Sequence, residues 1–144
     1  MWIIFEGLDK VGKTTLEWEF LKQTNYKHIV IDRGPASYMA FDEIFGRSTL
    51  QGDKEFVRQC SEINQADDIF IINCYVNKDI AHKRLLEHNE TCPYNYVKAQ
   101  KILQNIITKF YNIDKIINID TSIDSIETSV KKIIDQLKAK GVLL

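Results

Sequence analysis

At 144 residues, 44% of them hydrophobic, the chain suits one compact domain with its own core, and no stretch of it is long or apolar enough to span a membrane. Lys and Arg total 19 against 20 Asp and Glu, so a net charge of −1 gives no overall pull towards nucleic acid or anionic lipid. Any site for a polyanion has to be a local patch. Cysteines 60, 74 and 92 are widely spaced and form no CxxC pair, which argues against a disulfide framework and a zinc site and fits reduced thiols in a cytoplasmic protein.

In chain order, short β-rich runs alternate with helical segments. The first run, WIIF at 2–5, lacks the charged flank and cleavage site of a signal peptide and reads as a strand. HIVID at 28–32, DIFIINCYV at 68–76 and KIINID at 115–120 share its composition, short and almost continuously apolar, which suits strands of a parallel sheet covered on both faces. Helices are expected over 13–24, 36–45, 54–66, 78–88 and 96–111. A last one carries Ile126, Val130, Ile133, Ile134 and Leu137 on one face behind a cap at Thr121 or Ser122. Strand alternating with helix predicts an α/β domain whose sheet is mostly parallel.

Between the first strand and the first helix lies Gly7-Leu8-Asp9-Lys10-Val11-Gly12-Lys13-Thr14, followed by Thr15. It fits GxxxxGK[ST], a pattern that arises by accident in roughly 1% of chains this long or fewer. Gly7 and Gly12 let the backbone turn successive N–H groups inward, and the helix start adds partial positive charge, so the loop can cradle a polyphosphate. Lys13 would then reach the β- and γ-phosphates, and the Thr14 hydroxyl would ligate Mg²⁺.

The second strand ends in Asp32-Arg33, followed by a Gly-Pro turn and a polar, aromatic helix. Ligands of open α/β sheets sit beyond the carboxyl ends of the strands, so both side chains should reach the crevice of the glycine-rich loop. There Asp32 can hold Mg²⁺ through water and Arg33 can fork onto a phosphate. A helix cap for Asp32 and a surface ion pair for Arg33 are the bland alternatives.

FEGLDKVGKTT at 5–15 resembles the P-loop of thymidylate kinases. DRGPASYMAF at 32–41 is similar to their DR-x-x-x-S-x-x-A-[YF] segment at Asp32, Arg33, Ser37, Ala40 and Phe41. DIFIINCYVNKDIAHKRL and the closing INIDTSIDSIETSVKKI resemble the elements leading to the family's lid and its last strand and helix. The resemblance implies a three-layer P-loop kinase fold with helices on both faces of the sheet, ATP as donor and Mg²⁺ as cofactor. It also implies Arg33 on the acceptor phosphate, Asp9 near the acceptor sugar or phosphate and Arg84 against the adenine.

This chain departs from the family in one large respect. Asp32 follows Thr15 after only about 17 positions, where thymidylate kinases carry a further strand and helices that help recognise the base. The sheet should shrink to four strands in the order 2-1-3-4. Ser37 is carried over with the motif, and substitutes for base recognition lie in 34–66: Tyr38 and Phe41 for stacking, Arg47, Arg58 and Gln59 for polar contacts. Ordinary core packing is the alternative for Phe41, and a solvated charge for Arg47. The family's lid would be EHNETCPYN at 87–95, which has Glu87 and Glu90 but no Lys or Arg. The catalytic cation is therefore expected at Lys10, with Lys83, Arg84 and Lys98 flanking the lid.

The expected activity is ATP-dependent phosphoryl transfer to a nucleotide or nucleoside, with a deoxynucleoside monophosphate favoured. Two alternatives stay open: a kinase for a hydroxyl on a polynucleotide or modified base, and a nucleotide-binding regulatory module without kinase activity. The near-neutral charge argues against a nucleic-acid partner without excluding it. No membrane partner is expected, and a homodimer is left open.

Overall fold

The computed structural model describes residues 1–144. Its strands are β1 (Trp2–Glu6), β2 (Ile29–Asp32), β3 (Ile69–Tyr75) and β4 (Ile116–Asp120). They form one sheet in the order β2-β1-β3-β4, parallel at every pairing, which is the order expected from the sequence. In register, Phe5 lies beside Asp32, Glu6 beside Asn73 and Tyr75 beside Asp120, so the carboxyl ends of all four strands open onto one rim. Because β2 and β3 flank β1 on opposite sides, the loop after β1 leaves the sheet where the strand order reverses. Such a switch point is the usual ligand crevice of this architecture.

Six helices complete the layers: α1 (Lys13–Gln23), α2 (Pro35–Ile44), α3 (Leu50–Gln65), α4 (Lys78–Glu87), α5 (Tyr96–Phe110) and α6 (Ile126–Ala139). Helix α1 packs with α6, and α2 with α3 and α5, which makes a three-layer α/β fold. Ile3, Phe5, Ile71, Ile72 and Ile117 from the strands meet Leu16, Phe20, Leu103, Ile107, Ile133 and Leu137 from the helices in a core of 30 buried residues. Strand β2 differs from the continuous burial expected of it. As an edge strand it leaves Ile29 half exposed.

Two helix boundaries differ from the expected ones, and side-chain capping is the reason in each. Helix α3 starts at Leu50 rather than at 54, because the Thr49 Oγ1 accepts from the Gly52 N–H at 3.0 Å and offsets the glycine in the first turn. Helix α6 is capped by Ser125, not by Thr121 or Ser122. The Ser122 side chain and N–H turn back onto Asp120, and the Thr121 hydroxyl donates to the Val11 carbonyl beneath the glycine-rich loop.

Candidate functional site

The loop between β1 and α1 is held from below. Leu8 and Val11 are fully buried, and a Cβ at Gly7 would sit 2.8 Å from the Cys74 carbonyl oxygen, so only glycine lets the loop descend between β1 and β3. Gly12 takes φ 87° at the start of α1, a conformation costly for any residue with a Cβ. Lys10 also adopts positive φ, at 62°. Arg84 of α4 braces the loop from the side by donating to the Lys10 carbonyl at 2.9 Å and to the Thr121 carbonyl at 3.0 Å.

The turn after β2 is held just as firmly, by a residue the sequence reading passed over. Glu6, fully buried at the end of β1, accepts from the N–H groups of Gly34 (2.6 Å), Ala36 (3.1 Å) and Ser37 (3.3 Å) and from the Tyr111 hydroxyl (2.6 Å). It thereby satisfies the otherwise orphaned donors at the start of α2 and sets a negative charge against the positive end of that helix. Burial, and after it the nearby carboxylate, pushes the Tyr111 phenol well above its ordinary range. The visible signal was an acid closing an apolar strand. The Ser37 hydroxyl, fully buried, accepts from the Gly7 N–H at 3.3 Å and so ties α2 to the loop.

With both turns fixed, Asp9, Lys10, Gly12, Lys13, Thr14 and Thr15 line one cleft of about 390 Å³ together with Asp32 and Arg33. The far wall is the segment after α4, including Glu90, Cys92 and Tyr94. Lys13 is buried, its Nζ donating to the Leu8 carbonyl at 3.2 Å and lying 4.0 Å from Asp32. Burial, then the Arg33 charge, lowers its pKa from the ordinary lysine value. Glu17, one turn further along α1, is also buried. Burial first, then the neighbouring Asp32 carboxylate, raises its pKa well above the usual carboxylate range.

Arg33 occupies the left-handed region at φ 65°, and its own N–H is anchored to the Phe5 carbonyl at 2.8 Å. Such a conformation costs about 1–2 kcal/mol outside glycine, and here it aims the side chain into the cleft. The guanidinium donates to Asp9 Oδ1 at 2.5 Å and lies 4.9 Å from the centre of the Phe41 ring, while its Nε is buried without a partner. Phe41 stacks with Phe45 and meets Tyr94 edge-on, and the Tyr94 hydroxyl donates to Asp9 Oδ2 at 3.2 Å.

Four of the residues expected to help recognise the acceptor, Tyr38, Arg47, Arg58 and Gln59, lie outside this cleft. Half-exposed Tyr38 stacks on Phe56 over a separate apolar groove that also touches Arg33. Arg47 is largely exposed, pairs with Asp42 at 3.6 Å and lies over the Phe45 ring. Arg58 is bound by Glu55 and Glu62 of its own helix, and Gln59 lines the Tyr38 groove. Arg84 lines a second hollow of about 540 Å³ that shares Lys10, Gly12 and Thr15 with the cleft and adds His88, Thr121 and Ser125.

No group of three or more His, Cys, Asp and Glu side chains is placed to hold a metal ion. Mg²⁺ needs no such cage, since one or two carboxylates, waters and substrate phosphates commonly hold it. Thr14 and the half-exposed carboxylate of Asp32, on one cleft wall beside Lys13, have the chemistry for that.

Fold and cleft together define an α/β protein of three-layer, P-loop-like architecture. Among solved structures the chain is similar to the YorR protein of Bacillus subtilis, crystallised in complex with phosphorylated GDP. The two share 14% sequence identity at a TM-score of 0.76, over 98% of this chain and 98% of that one. At that identity the likeness speaks for the fold. No protein-family model matches the chain, and no curated protein matches it by sequence.

Proposed function

We propose that residues 1–144 form one nucleotide kinase unit of thymidylate-kinase-like type, transferring a phosphoryl group from ATP to a nucleotide or nucleoside, with a deoxynucleoside monophosphate the favoured acceptor. The observation that carries this reading is the convergence of Lys10, Lys13 and Arg33 with Asp9 and Asp32 on one cleft at the start of α1. A phosphate-binding module needs the loop and Lys13. It has no need of an arginine held in a strained backbone and aimed at the same cleft from a second strand. The nucleotide held by the structurally similar YorR supports the nucleotide part of the reading.

In this reading the donor phosphates lie along the N–H groups of residues 9–15, and the donor base enters the hollow beside Arg84. Lys13 leaves the Leu8 carbonyl for the β- and γ-phosphates. Thr14 and, through water, Asp32 would hold Mg²⁺, which would supply charge neutralisation on the phosphate oxygens. Arg33 exchanges part of its hold on Asp9 for the acceptor phosphate, and Lys10 stabilises charge on the transferring group. Alignment and fixed charge are the main requirements of phosphoryl transfer, and these residues provide both. No helix is long and apolar enough to cross a membrane; we place the protein in the cytoplasm and leave a homodimer open.

The test is a panel of nucleosides, ribo- and deoxynucleoside monophosphates and DNA ends incubated with γ-labelled ATP and Mg²⁺. Label is expected in at least one monophosphate. ATP binding with every acceptor unlabelled would favour a regulatory nucleotide-binding module, and label on DNA ends alone would favour a polynucleotide kinase.

A further inference from the structure

Glu17 is a buried carboxylic acid for which neither the fold nor the proposed reaction has yet given a reason. It is 92% buried, its relative exposure being 8%, and its Oε1 has no hydrogen-bond partner. A buried oxygen left in that state is destabilising, and more so if charged. A core leucine on this side of α1 would avoid the cost. Asp32 is its acidic neighbour, and two carboxylates brought together are relieved by a proton or a cation between them. The nearest fixed cation, Lys13, stands 4.0 Å from Asp32 and is engaged by the Leu8 carbonyl.

We infer that Glu17 is an outer-shell anchor of the divalent-cation site, its carboxylate joining Asp32 in accepting hydrogen bonds from water on a cation ligated by Thr14. Three features support this: Asp32 as its acidic neighbour, the buried and unpartnered Oε1, and its position on α1 one turn beyond Thr14, close along the helix surface. Two carboxylates and a hydroxyl match the sparse protein ligation that Mg²⁺ accepts, with the remaining positions left to water and phosphate. In this role Glu17 touches neither nucleotide nor transferring group. It is a positioning residue that orients Asp32 and the metal's waters. The inference rests on the cation-binding part of the kinase reading and is independent of which acceptor is phosphorylated.

The experiment uses Mn²⁺ as probe, its free concentration followed by electron paramagnetic resonance during titration of the whole protein with and without ATP. Glu17→Gln keeps the shape and a hydrogen-bonding group but loses the carboxylate. It should weaken Mn²⁺ binding at least about tenfold, the usual cost of losing an outer-shell partner. Metal-free ATP binding should stay within about twofold. Glu17→Met, which removes the orphaned oxygen and keeps the length, should unfold at no lower temperature than wild type and lose the same metal affinity. Glu19→Gln, bonded within its own helix to Gln23, is the control and should bind Mn²⁺ as wild type does. Wild-type Mn²⁺ affinity in Glu17→Gln overturns the inference and leaves Glu17 as a protonated partner of Asp32. A wild-type protein with no Mn²⁺ site, with or without ATP, overturns it too. Failure of the acceptor panel with the Mn²⁺ results intact strikes the kinase reading alone.

Discussion

The Lys10 Nζ lies 3.1 Å from both carboxylate oxygens of Glu90, so the cation expected to serve the transferring phosphoryl group is already paired with an anion from the segment after α4. Both side chains are partly exposed, and such a pair contributes about 0–1 kcal/mol. A nucleotide phosphate can displace it. Glu90→Gln should therefore tighten ATP binding by up to about fivefold, measured by calorimetry at low ionic strength, with the gain shrinking as salt is raised. Unchanged or weakened binding at low salt would mean that Glu90 is no competitor.

Lys10 itself is the catalytic cation of this scheme, since Glu90 and Tyr94 are what the segment after α4 turns towards the loop, and neither brings positive charge. Lys10→Ala should lower kcat at least about tenfold, roughly 1.4 kcal/mol of transition-state stabilisation, with a smaller effect on ATP binding. Lys13→Ala should abolish transfer. Arg84 is fixed to the Lys10 and Thr121 carbonyls, so Arg84→Ala should act mainly through a loosened loop and a raised KM for ATP. Steady-state kinetics decide between them: a near-normal kcat in Lys10→Ala beside a large kcat loss in Arg84→Ala would move the charge to α4.

Arg33→Lys should not preserve function. The guanidinium bonds Asp9, covers the Phe41 ring and keeps an unpartnered Nε, and an ammonium cannot reproduce that flat, multi-donor geometry. The expected result is a raised acceptor KM and a lowered kcat with ATP affinity little changed. Equal losses with phosphorylated and unphosphorylated acceptors would contradict a role on the acceptor phosphate.

What the sequence made legible is what depends on local pattern. Continuous apolar runs announced the four strands, and GxxxxGK[ST] announced the loop because its glycines have no substitutes: Gly12 needs positive φ and Gly7 has no room for a Cβ. The sheet order followed from the family resemblance and the missing segment. The strain at Arg33, the bracing by Glu6 and the isolation of Glu17 were not legible. Each depends on residues brought together from distant parts of the chain, as when Tyr111 and Glu6 meet. Tyr38 shows the same limit from the other side, for its place in 34–66 offered a ring to stack on the acceptor but that ring lies against Phe56.

His28 carries a prediction that needs no ligand. Its ring is buried against Phe20, with centroids 5.9 Å apart, and neither ring nitrogen has a hydrogen-bond partner. Burial first, then the Met1 α-amino and Lys27 charges, lowers its pKa below the ordinary 6.5. The folded protein thus binds a proton at His28 less readily than the unfolded chain does. The sign follows: stability is unaffected by this group well above pH 6.5 and is lost as pH falls from there towards the depressed folded value. His28→Leu should remove that acid limb and, by discarding two unsatisfied nitrogens, stabilise the protein by about 1 kcal/mol at pH 7.5. Denaturant midpoints of both proteins between pH 5 and 8 are the measurement. Parallel curves across that range would show that His28 titrates alike in the folded and unfolded chains.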